Sequence, residues 1–81
     1  MNNPHWQDQH QWKIDDITFW LNEIWEFQKM LKRHPDDSMG DVFRSCIKEL
    51  KMRLELSVKS YSNIYGRRPN MRKLREGVEN A

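Results

Sequence analysis

Residues 19–27 read FWLNEIWEF, two Trp and two Phe in nine residues with no Gly or Pro between them. The apolar pattern extends on both sides. Ile14, Ile17, Leu21, Ile24, Gln28 and Leu31 step by 3, 4, 3, 4 and 3, a heptad seam with one polar position. The spacing predicts a helix over about 12–34, closed by Pro35. Asn3-Pro4 offers an earlier start, so residues 1–11 read either as an arm or as an extension of the helix. At about 100° per residue, Trp20 and Phe27 mark one edge of the apolar arc. Ile17, Ile24 and Leu31 mark its centre, and Ile14, Leu21 and Trp25 the other edge, about 160° in all. One neighbouring helix covers an arc of about 100°. A second covering element is therefore required.

Outward from this stretch the chain reads as all-α. HPDDSMG (34–40) is a turn, with Ser38 and Asp41 in the positions of a capping box and Asp37 as the rival N-cap. Phe43, Ile47, Leu50, Leu54, Ser57, Tyr61 and Ile64 then form a second seam, predicting a helix over about 39–65. Gly66 sits where a left-handed C′ residue ends a helix. The short connection makes residues 12–66 an antiparallel αα-hairpin. In residues 67–81, Met71, Leu74 and Val78 share one face of a short helix. Five cations in nine residues, Pro69 and Gly77 argue for a mobile tail that orders by docking on helix 1 or on an acidic partner.

The chain is 81 residues, a single domain of modest core. Chains of this size often add a second subunit, and two long helices from a second copy would cover the surplus arc. A homodimeric four-helix bundle is the expected assembly, with Trp20, Leu21, Ile24, Trp25 and Phe27 at its interface. Trp12, Phe19 and Met30 form a separate stripe, fenced from the core by Asp16 and Glu23. Trp, Phe and Met are enriched at interfaces, so this stripe is the candidate site for another protein.

The formal net charge of +2 hides a division. Residues 1–41 carry a net −4 and residues 42–81 a net +6. Pairing of an acidic with a basic helix accounts for this. Nucleic-acid contact by Arg44, Lys48, Lys51, Lys59, Arg67, Arg68, Arg72, Lys73 and Arg75 is the alternative.

Chemistry is sparse. His5, His10 and His34 have no ligand spacing, so no metal or other cofactor is expected. His34 reads as a dipole partner at the end of helix 1, and the other two as arm residues. Cys46, the one cysteine, has no His placed to activate it. One cysteine, no basic-then-apolar leader and no run of 18 apolar residues predict a cytoplasmic protein that does not span a membrane. KIDDITFWL (13–21) is faintly similar to the first helix of chorismate mutases, which need a long third helix that no pattern here supplies. GRRPNMRKLREGV (66–78) resembles the first half of the helix-turn-helix of LexA-type repressors, without a recognition helix after it. The sequence reading is a small non-enzymatic adaptor or inhibitor, of the economical kind that phages and mobile elements encode.

Overall fold

In a computed structural model of the chain, the backbone is described from Pro4 to Ala81 and the side chains from Gln9 onward. Three helices follow in order: α1 Pro4–Arg33, α2 Ser38–Tyr65 and α3 Met71–Glu79. The chain is all-helical over these residues, and no helix among them is long and apolar enough to cross a membrane. His5 and Trp6 lie outside the described side chains, as does Asn3 with its capping role.

α1 is one helix from Pro4 and stops before Pro35. The turn is held by Asp37, whose Oδ1 accepts from the Gly40 N–H at 2.9 Å. Asp37 is thus the N-cap of α2, and Ser38 is its first helical residue. α2 ends at Gly66, which takes φ 72° and donates its N–H to the Ser62 carbonyl at 2.8 Å. A side chain at that φ would be strained, which is why glycine stands there.

α1 and α2 pack along their length around Ile17, Leu21 and Ile24 from one side and Ile47, Leu54, Val58 and Tyr61 from the other. Ile17 is fully buried and Val58 is 1% exposed. The expected seam of α2 therefore needs correcting in its second half. Val58 takes the core position assigned to Ser57, and Ile64 is 45% exposed while Tyr65 packs inward. A strict heptad runs at 3.5 residues per turn, whereas a straight helix runs at 3.6 and drifts by about 20° per heptad. Over the two heptads from Phe43 the drift reaches about 40°, enough to leave Val58 nearer than Ser57 to the middle of the buried stripe, and one heptad further on Tyr65 nearer than Ile64.

Residues 67–81 contain the expected short C-terminal helix, α3, and of the two docking surfaces the sequence left open it lies on α1, so the segment is packed rather than a mobile tail. Asn70 caps it by accepting from the Lys73 N–H at 3.1 Å, and Pro69 is buried at its entry. Val78 joins the core at 8% exposure, with Met71 and Leu74 packed at its edge. Three apolar side chains hold a short segment because they land on the surplus apolar arc of α1. The second covering element that FWLNEIWEF requires is supplied, on one flank, by the chain itself.

Candidate protein-interaction surface

Trp12 and Phe19 sit two turns apart on α1, on the side away from α2. They are 69% and 52% exposed. Trp12 has Lys13 Nζ 6.0 Å from its ring centroid, and Phe19 stands edge-on to Trp20 at 5.0 Å between centroids. Met30, near the same azimuth further along, is half-buried. Phe19 also walls a shallow hollow of about 610 Å³ shared with Leu74, Gly77 and Val78 of α3. The acids beside the stripe differ in function. Glu23 is half-buried with no bonded partner among the described residues, whereas Asp16 accepts a 2.6 Å hydrogen bond from Ser57 Oγ of α2. Asp16 therefore ties the helices together as well as bordering the stripe.

The five residues expected at a dimer interface separate into three groups. Leu21 and Ile24 are buried within the single chain, each 6% exposed, and offer no surface to a second copy. Trp25 lies on the α3 flank, where it lines a cleft of about 460 Å³ with Leu54, Lys51 and Arg75. Trp20 and Phe27 are half-buried on the opposite flank, which no helix among the described residues covers. Arg53 lies 5.8 Å over the Trp20 ring, and Phe27 borders Cys46 and Leu50.

The nine basic residues do not form one free row. Arg44 bonds Asp41 at 2.8 Å and the Pro35 carbonyl, Arg68 pairs with Glu55 at 3.6 Å, and Arg72 with Glu76 at 3.3 Å. Lys48, Lys51, Lys59, Arg67, Lys73 and Arg75 make no ion pair among the described residues, and Lys51 and Arg75 line one cleft together with Glu55 and Glu79.

His10 is a contact residue that sequence reasoning placed in an arm. It is half-buried on α1, with Nε2 3.0 Å from Tyr61 Oη and its ring edge-on to Tyr65 at 5.1 Å. His34 lies just past α1 and bonds Asp37 Oδ2 through Nδ1 at 2.9 Å. That bond, then the Gly40 N–H, holds the Asp37 carboxyl below the usual carboxylate range. Among the described residues no three His, Cys, Asp or Glu gather as metal ligands would. The chain matches no protein-family model, no curated protein and no solved structure.

Proposed function

We propose that this chain is a small non-enzymatic binding module that engages another protein through Trp12 and Phe19, with Met30 at the end of the stripe. The observation that carries the reading is the exposure of both aromatics on a helix that packs two of its faces against α2 and α3. Burying a large aromatic is strongly favourable, and exposed pairs of them are typical of hot spots. The module self-associates as a homodimer, with Trp20 and Phe27 at the subunit contact, because they flank the one side of the hairpin left uncovered. The basic residues of α2 and α3 steer an acidic partner.

The test uses the chain as bait in a lysate of its native cell, beside a Trp12→Ala/Phe19→Ala bait. Each truncation removes about 2 kcal/mol or more at a hot spot, so the pair releases the partner. Thermal melts of the two baits should agree, since surface changes alter stability by about 0.5 kcal/mol. If the wild-type bait retains nothing that the double variant loses, the reading is wrong.

A second reading has one observation in its favour: Lys48, Lys51 and Lys59, along one edge of α2, make no ion pair among the described residues. A nucleic-acid-binding dimer would use that edge. Titration with duplex DNA at two salt concentrations separates the readings, since phosphate contact gives steeply salt-dependent binding.

A further inference from the structure

α2 carries a second 3-4 pattern, on its outward face and toward the uncovered flank. Met39, Val42, Cys46, Glu49, Arg53 and Leu56 step by 3, 4, 3, 4 and 3, and Ser60 and Asn63 continue it. None of these eight is buried, and Val42 and Leu56 are 52% and 67% exposed. An exposed helix face with large aliphatic residues at heptad spacing is a coiled-coil seam without its partner. Two charged residues interrupt it, Glu49 and Arg53, and they lie at its midpoint.

We propose that this seam binds the same seam of a second copy, as an antiparallel α2–α2 pair about a two-fold axis passing at the level of Lys51. The inference rests on the self-association proposed above and specifies its face, register and direction. In an antiparallel coiled coil the a position of one helix meets the d position of the other. With the axis at residue 51, Glu49 meets the partner's Arg53, and Arg53 meets the partner's Glu49. Cys46 meets the partner's Leu56, and Val42 the partner's Ser60.

Charge complementarity selects this arrangement. Parallel pairing in register sets Glu49 beside Glu49 and Arg53 beside Arg53, and like charges so placed cost several kcal/mol. An antiparallel slip of one heptad leaves Arg53 facing Val42 or Leu56, a charge against an aliphatic side chain without a counterion. The charges therefore act as a register device, as polar residues do in coiled-coil seams. In the single chain Arg53 is 3.6 Å from Glu49 and rests over Trp20, so it is already held toward the seam. Trp20 and Phe27 flank the paired helices.

Oxidative cross-linking and sedimentation test the arrangement. With the axis at residue 51, the two Cys46 residues are ten positions apart, about 15 Å along the helices. A disulfide needs Cα atoms within about 7 Å, so oxidised glutathione leaves the wild-type chain uncross-linked. Leu56→Cys places a thiol against the partner's Cys46, and oxidation then gives a non-reduced band at twice the 10.0 kDa chain mass. Ser45→Cys, outside the seam, does not. In sedimentation, Arg53→Glu raises the dimer Kd by about tenfold or more, and Glu49→Arg/Arg53→Glu restores it. A monomeric wild type at 100 micromolar, which is a concentration about a hundred times that of a micromolar Kd, overturns self-association altogether. A wild-type dimer that Arg53→Glu leaves intact, or that cross-links through Cys46 alone, overturns this face and register while leaving self-association standing.

Discussion

The two long flanks of the α1–α2 hairpin differ in what covers them. On one, α3 lies along α1, and Val78 completes a core with Leu21 and Leu54. On the other, Trp20, Phe27 and Leu50 stay half-buried, bordered by Arg53 and Cys46. Both flanks arise from the same surplus of apolar residues on α1. A hairpin of two amphipathic helices has two grooves, and nine residues of α3 fill only one. The covered flank should therefore govern the stability of the single chain, and the open flank its association.

Removing the covering element is the strongest way to break that contrast. A chain ending at Gly66 loses the packing of Met71, Leu74 and Val78, each worth about 1.5–3 kcal/mol if fully buried. Urea unfolding followed by circular dichroism should show a loss on the scale of one core truncation, about 3 kcal/mol. Unchanged stability would mean that α3 covers nothing the core needs. On the open flank, Trp20→Ala removes a half-buried ring, so about 2 kcal/mol is expected rather than the larger cost of a core Trp. Sedimentation should show that variant losing its dimer in the same concentration range where the truncated chain still associates.

Three smaller effects sharpen the picture inside the chain. Tyr61→Phe deprives His10 of its 3.0 Å partner and should cost about 1 kcal/mol by thermal melt. The turn should show an acid-dependent effect. Asp37 has a depressed carboxyl pKa in the fold, so its contribution is complete above the unfolded value of about 4 and is lost as pH falls through the lower folded value. The melting gap between wild type and Asp37→Ala should be full at pH 6 and shrink as pH falls below about 4. A gap that persists at pH 2 would assign the effect to something other than ionisation. Last, Gly77→Ala adds a Cβ that meets nothing and should stabilise α3 by about 0.4–1 kcal/mol.

The sequence made α1, α2 and the turn legible because each signal is local. Six seam positions, a proline stop and a glycine at φ 72° need no knowledge of distant residues. The phase of α2 beyond Leu54 was lost to the drift between 3.5 and 3.6 residues per turn. The short helix α3 was legible, but its firm docking on α1 was hidden for a different reason. Met71, Leu74 and Val78 are too few to order a segment alone, and their sufficiency depends on an apolar surface more than 50 residues earlier. The contacts from His10 to Tyr61 and from Ser57 to Asp16 are equally non-local, 51 and 41 positions apart. Of the interaction surface, the exposure of Trp12 and Phe19 followed from their azimuth. The retreat of Leu21 and Ile24 into the chain's own core did not, because it depended on α2 and α3 together.

Gly40 is buried where α2 leaves the turn, and a Cβ there would collide with the carbonyl oxygen of His34. Its backbone angle is an ordinary helical one, since Gly66 has the only positive φ among the described residues. The constraint at position 40 is thus one of room, and it falls on every other amino acid alike, beginning with alanine. It makes the turn a gauge of fixed length. A residue inserted into α2 just after Gly40 would set the rest of the helix about 100° round against α1, turning Phe43 and Ile47 out and polar neighbours in. In a library randomised at every position, position 40 should recover glycine alone, while Ser38 and Met39 beside it tolerate a broad choice.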